Sequence, residues 1–267
     1  MVAKVITFGI SKGGCSKTTS SGITAYLLSQ EHKVLCLDMD GQGNLTSFLT
    51  GEFDICGVYE GKTTLEAIMD EDVSSYIVQI TDNLHLVPSN DYLASLPRRM
   101  FEEKKGTSAL SKALAPVLNQ YDYIIIDTPP ALSEHTILSL SASDSVVVMF
   151  DGSQFCYYAI DKFLEICEAA KQKGNSKLSV AGILFSLIDI RAKENKDMIE
   201  VIDEEYSTLR FNTIIRRKAT TRRLGIYGFF DNPELKDALE NYIPFVKELK
   251  ERVAKGQNSK EETTSRA

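Results

Sequence analysis

An α/β fold is predicted, with a mostly parallel, doubly wound central sheet flanked by helices, and three features of the sequence predict it. Short β-branched-rich segments recur along the chain, several of them apolar on both faces, as parallel strands covered from two sides must be. The stretches between them are long enough for crossover helices and carry helical periodicity. At 267 residues, 43% hydrophobic and 25% charged, the chain buries a sizeable core and suits one large domain.

Taken in order, the predicted strands are residues 3–9 (AKVITFG), 33–40 (KVLCLDMD), 84–89 (LHLVPS), 121–130 (YDYIIIDTPP), 145–151 (SVVVMFD) and 179–187 (SVAGILFSL), each bounded by turn formers. Helices are predicted over 18–30, 108–119, 159–173 and 193–206. Thr63 with Glu66 three residues later forms a capping box, so another helix starts there. A last helix spans 233–253, with Leu235, Leu239, Ile243, Val246, Leu249 and Val253 on one stripe and a kink at Pro244. No linker divides the chain: 1–254 reads as a single domain and 255–267, nearly devoid of apolar residues, as a disordered polar tail.

Net charge is −7, so the protein as a whole is not drawn to DNA or anionic lipid, and any such binding needs a local patch. The cysteines, Cys15, Cys36, Cys56, Cys156 and Cys167, form no C-x-x-C pair. With no charged-then-apolar leader and no apolar run of membrane-spanning length, a soluble, reduced, cytoplasmic protein is expected.

The segment GISKGGCSKTTS, residues 9–20, lies between the first strand and the first helix. In that context the helix N-terminal amides point at an anion. Gly13 and Gly14 permit close backbone approach, Lys17 places an ammonium on the outer phosphates, and the Thr18 hydroxyl can ligate magnesium. The spelling departs from G-x-x-x-x-G-K-[ST]: Ser11 and Ser16 stand where both glycines are expected, and a second lysine, Lys12, enters the loop.

Residues 12–18, KGGCSKT, match K-G-G-x-x-K-[ST], and on this motif the chain resembles the ParA/MinD group of P-loop NTPases with a deviant Walker A loop. The resemblance implies ATP and Mg2+ as cofactors, with Lys12, Gly13, Gly14, Cys15, Ser16, Lys17, Thr18 and Thr19 around the nucleotide. It also implies a homodimer formed on ATP binding, Lys12 reaching the partner's phosphates. One departure is Ser16, where the family usually has glycine. LDMDGQGN at 37–44 resembles the D-x-D-x-Q-G-N element of the ParA branch, with Gly41 in place of proline. It makes Asp40 the residue that positions the attacking water and responds to the γ-phosphate, and Asp38 a support of the hydrated metal. YIIIDTPP at 123–130 resembles Walker B and offers Asp127 to magnesium through water; with Thr18, Asp38 and Asp40 it completes the implied metal set. QFCYYAIDKF at 154–163 resembles the Q-x-E-Y-Y-A-L segment of partition ATPases. The likeness runs from residue 2 to about 253, and with the first strand starting at residue 3 it implies no preceding DNA-reading domain.

Positioning and charge neutralisation by Lys12, Lys17, Asp40, the loop amides and the metal would then carry a weak intrinsic hydrolysis. His32, His85 and His135 fall in no shared motif and read as surface or packing residues. Between 210 and 223 lie Arg210, Arg216, Arg217, Lys218, Arg222 and Arg223 with no acidic residue, a cluster suited to sequence-independent contact with duplex phosphates, Arg216 to Arg223 being the DNA-binding candidates. The alternatives are a solvated face or arginines facing the nucleotide. The resemblance further implies nucleoid association and a ParB-like centromere-binding partner that stimulates hydrolysis. A MinD-like switch for a membrane or protein cargo is the runner-up, although the polar tail lacks the basic amphipathic helix that membrane binding needs. A cluster-bridging reductase lacks cysteines after DTPP, and a dethiobiotin-type synthase remains open.

Overall fold

A computed structural model describes residues 2–264 apart from Gly228 and Asp231, without the side chains of 226–227 and 256–264. Among the described residues the strands are β1 (Lys4–Gly9), β2 (Val34–Asp38), β3 (Val78–Gln79), β4 (Leu84–Val87), β5 (Tyr123–Asp127), β6 (Ser145–Phe150), β7 (Ser179–Ile188) and β8 (Arg210–Arg216). The helices are α1 (Lys17–Ser29), α2 (Asn44–Thr50), α3 (Ile55–Val58), α4 (Thr64–Met69), α5 (Leu96–Glu102), α6 (Ala109–Leu114), α7 (Glu134–Ala142), α8 (Gln154–Lys173), α9 (Lys193–Glu205), α10 (Ala219–Tyr227), α11 (Leu235–Leu239) and α12 (Tyr242–Thr264). One eight-stranded sheet has the order β3-β4-β2-β5-β1-β6-β7-β8, parallel throughout except for β3.

Strand alternation splits the core into two layers. Ile6 and Phe8 of β1, Cys36 of β2 and Ile125 of β5 join the cluster beneath α1, α8 and α12. Val5, Leu35, Leu37, Ile124 and Ile126, one residue out of phase, join the cluster beneath α4 to α7. Each such side chain, taken fully out of water, contributes about 1.5–3 kcal/mol. The central strands cannot slip register without exchanging both faces.

The register fixes the site. Phe8 and Asp38 both pair with Asp127, so β1, β5 and β2 end side by side. On the other flank of β1, Gly9 pairs with Val148 of β6, so the chain crosses to opposite sides of β1 and leaves a crevice at the strand C-termini where α/β sheets bind ligands.

One expectation changes at the C-terminal end. Helix 233–253 is two helices, broken at Glu240 and Asn241, and Pro244 sits in the first turn of α12, where its missing N–H has no intrahelical acceptor to lose. Ile243 is exposed, while Tyr242 and Phe245 take the core positions instead. The backbone of α12 continues to Thr264 through much of the tail expected to be disordered; residues 265–267 lie outside the described residues. The capping box at Thr63 forms as expected.

Candidate nucleotide site

The loop after β1 runs over residues 10–16 and enters α1 at Lys17. Gly14 takes a left-handed conformation, φ 81°, while Gly13 does not. Ser16 is left-handed as well, φ 54°, at the N-cap of α1. It reproduces the conformation a glycine would adopt, at a cost of roughly 1–2 kcal/mol for an L side chain. Its hydroxyl does not cap the helix, so the first-turn amides of Lys17, Thr18 and Thr19 are left for an anion.

The Lys17 ammonium folds over the loop and donates to the Lys12 carbonyl at 2.8 Å. Burial holds its pKa below the usual lysine value, against the pull of Asp127. Lys12 turns the other way, donating to Asp151 Oδ2 at 2.6 Å and Ser153 Oγ at 2.5 Å. Although burial lowers the Lys12 pKa, the Asp151 carboxylate outweighs it and raises it.

Asp127, at the end of β5, is fully buried and accepts from Thr18 Oγ1 at 2.7 Å and Ser21 Oγ at 2.9 Å. Burial pushes its pKa up to about 6, opposed by those two hydroxyls and Lys17. Asp38, the expected support of the hydrated metal, is fully buried at the end of β2. Its Oδ1 accepts the Asp40 amide at 3.1 Å, and its Oδ2 accepts the Thr46 amide at 2.9 Å and the Thr46 hydroxyl at 2.8 Å. These bonds organise the turn that presents Asp40, and burial, then the neighbouring Asp127, pushes the Asp38 pKa up to about 7. Asp40 Oδ1 accepts the Gln42 amide at 3.0 Å. Gly43 makes the turn possible: at φ 61° a Cβ would lie 2.2 Å from Ile55 Cδ1 and 2.8 Å from the Ser89 carbonyl oxygen, whereas Gly41 has ordinary φ and a Cβ there would make only ordinary van der Waals contacts, at 3.7 Å from the Ala94 nitrogen and the Asn90 oxygen.

A cleft of about 660 Å³ opens beside Asp40, lined also by Gln42, Asp91, Pro129 and His135. His135 is therefore at the site without a motif to announce it, but its ring faces Ser133 Oγ at 3.2 Å and the Leu93 carbonyl at 3.1 Å. His85 pairs with the Tyr121 hydroxyl at 2.6 Å and His32 lies against Lys250, away from the loop. Sequence reading passed over Asp151, Ser153, Ser21 and Thr46. The signals were present in a strand-end Asp followed by a Ser that caps α8 by accepting from the Cys156 amide.

The AAA domain family matches residues 3–180. Sporulation initiation inhibitor protein Soj of Bacillus subtilis is 30% identical over 256 residues, covering 93% of this chain and 98% of Soj. This chain belongs to the ParA-type family of P-loop ATPases. The chromosome partitioning protein ParA of Myxococcus xanthus is 29% identical over 260 residues, 94% of this chain and 89% of its own length. Among solved structures, an ATP complex of a Cyanothece McdA variant superposes with a TM-score of 0.80 at 25% identity, covering 94% of this chain and 96% of that one.

The cofactors of a ParA-type ATPase are ATP and Mg2+, and the residues here fit them. Unpaired first-turn amides and a buried ammonium meet a polyphosphate, and the Thr18 hydroxyl beside the Asp127 carboxylate supplies hard oxygen donors for Mg2+.

The basic segment is less open than its sequence suggests. Lys218 pairs with Asp237 at 3.0 Å and with Glu240, Arg223 with Glu234 at 2.5 Å, and Arg210 with Asp203 at 2.9 Å. α9, α11 and the residues that cap α11 thus bring acidic groups to a stretch that has none of its own. Arg216, Arg217 and Arg222 are exposed and form no ion pair among the described residues. Among those residues no helix is long and apolar enough to cross a membrane.

Proposed function

We propose that this chain is an ATP-dependent DNA partition ATPase: Mg-ATP joins two copies around their nucleotides, the dimer binds duplex DNA without sequence preference, and hydrolysis stimulated by a ParB-like centromere-binding protein releases it. The observation that carries the reading is the gathering of Lys12, Lys17, Thr18, Asp40 and Asp127 about one loop at the ends of three neighbouring strands.

ATP supplies the transferable phosphoryl group, and bound magnesium offsets its charge. Lys17 and the first-turn amides of α1 hold and neutralise the phosphates in one protomer. Thr18 and Asp127 hold the metal, Asp38 keeps the Asp40 turn in place, and Asp40 orients a water beside the cleft. Lys12 leaves Asp151 and crosses to the partner. With both His135 nitrogens turned to Ser133 and Leu93, no histidine acts as base, in keeping with slow unassisted turnover. Arg216, Arg217 and Arg222 form the DNA-contacting patch, and pairing leaves Lys218 and Arg223 with a smaller share in it.

The test is retention on a random-sequence duplex without nucleotide and with ADP, ATP or a slowly hydrolysed ATP analogue, over a salt series. Binding confined to the ATP states and falling steeply with salt is expected. Absence of DNA binding in every state, with ATP-dependent dimers intact, would overturn the DNA reading. It would favour a protein cargo, a choice to which the internal pairing of Lys218 and Arg223 already gives some weight.

A further inference from the structure

We propose that Cys15 of the nucleotide loop and Cys156 form a redox-active dithiol, a modification site at which peroxide closes a disulfide and weakens nucleotide binding. The two residues are 141 positions apart in sequence, yet their sulfurs lie 3.6 Å from one another. Cys15 stands in the loop between the left-handed Gly14 and Ser16, and Cys156 in the first turn of α8. Closing a disulfide takes the sulfurs from 3.6 Å to about 2.05 Å, a short movement shared between the two side chains and the loop backbone. Among the described residues the other cysteines have no thiol partner: Cys36 and Cys167 are buried without one, and the Cys56 thiol donates to Asp91 at 2.6 Å.

The surroundings give the two thiols unequal roles. Cys156 hydrogen-bonds to Cys15 and, together with Lys12 and Lys17, draws the Cys15 pKa down against burial and Asp151. The same hydrogen bond, with burial added, raises the pKa of Cys156. Cys15 is thus the attacking thiolate and Cys156 the resolving thiol. Although Cys15 is buried, its neighbours Gly13 and Gly14 are exposed, so the oxidant has a short way to travel.

The chemistry balances with hydrogen peroxide as oxidant. The Cys15 thiolate attacks one peroxide oxygen; an S–O bond forms, the O–O bond breaks, and the departing hydroxide takes up a proton as water. The Cys156 sulfur, having given up its proton, attacks the resulting sulfenic sulfur; the S–S bond forms, the S–O bond breaks, and a second water leaves. From two thiols and one peroxide the products are one disulfide and two waters, and a dithiol reductant reverses the change.

The cross-link would tether the loop to the turn that holds Lys12 through Asp151 and Ser153. Cys15 is also held at its carbonyl, which accepts from Ser186 Oγ at 2.9 Å. The Gly14–Ser16 backbone therefore takes up the displacement, and the amides aimed at the phosphates turn away.

The 267-residue chain is treated with hydrogen peroxide without nucleotide, mapped by mass spectrometry, and titrated with a fluorescent ATP analogue. A Cys15–Cys156 linked peptide is expected, with affinity weakened by roughly ten-fold or more, the equivalent of about one charged hydrogen bond to phosphate. Dithiothreitol should restore binding. Cys156→Ala and Cys156→Ser, reduced, should bind the analogue as the parent does and lose the response to peroxide. Oxidation that consumes other thiols and leaves this pair unlinked would overturn the proposal, as would a linked protein of unchanged affinity.

Discussion

Lys12 bonded to Asp151 and Ser153 is a lysine held away from the interface it is proposed to complete, and the contact opposes dimerisation by a calculable amount. The ammonium is about a quarter exposed in a pair of 2.6 Å, with side-chain exposures of 25% and 17%. A charge-assisted pair of that kind, partly screened by water, is worth about 1–2 kcal/mol. Docking then outweighs release by about 5–30-fold, and the apparent dimer affinity falls by the same factor for each Lys12 that must cross. Asp151→Asn removes the charge while keeping an oxygen for the Ser153 amide, which Asp151 Oδ1 now accepts at 3.0 Å. The variant should tighten the dimer by about five-fold or more in Mg2+ and a slowly hydrolysed ATP analogue, read by sedimentation equilibrium, and leave the nucleotide-free protein unchanged. An unchanged or weaker dimer constant in a variant with wild-type circular dichroism would refute the latch.

The remaining expectations follow from single contacts. Asp40→Ala should retain ATP binding and dimerisation while phosphate release stops, and loss of the dimer in that variant would contradict the role given to Asp40. Arg216, Arg217 and Arg222 replaced together by Glu should spare nucleotide binding and abolish duplex retention; full retention would remove the patch from consideration. Ser16→Gly relieves a left-handed serine and should raise stability by about 1 kcal/mol in urea melts, less the entropy a glycine adds to the unfolded chain. Glu248 is pushed up by burial, but the Asn212 and Thr213 amides, the Thr213 hydroxyl and Arg252 outweigh this and hold its carboxyl below the usual range. A depressed folded value stabilises above the unfolded value and is lost as pH falls through the folded one. Glu248→Gln should therefore cost about 1–3 kcal/mol at pH 7. The gap from the parent should close in melts run below about pH 4.

Local order was readable wherever chemistry and periodicity coincide. The strand ending in Asp127, the loop from Lys12 to Thr18 and the Thr63 capping box each declare themselves within a few residues, because backbone geometry there depends on near neighbours. β8 was missed for the opposite reason: RFNTIIR has few apolar positions, and only pairing with β7 makes it a strand. The break before α12 was missed because Pro244 can kink a helix or begin one, and its position in the turn decides which.

Membership in a ParA-type ATPase family, its mostly parallel sheet and its phosphate loop are written in the sequence itself, since short-range motifs and strand alternation specify them. Tertiary structure alone decided the partners. It set Asp38 to building a turn, gave Lys218 and Arg223 acidic neighbours from α11 and its cap, docked Lys12 on Asp151 and brought Cys15 against Cys156. Each of those contacts joins groups from separate elements of the chain, and a side chain's charge or reactivity belongs to its neighbours in space, which folding chooses.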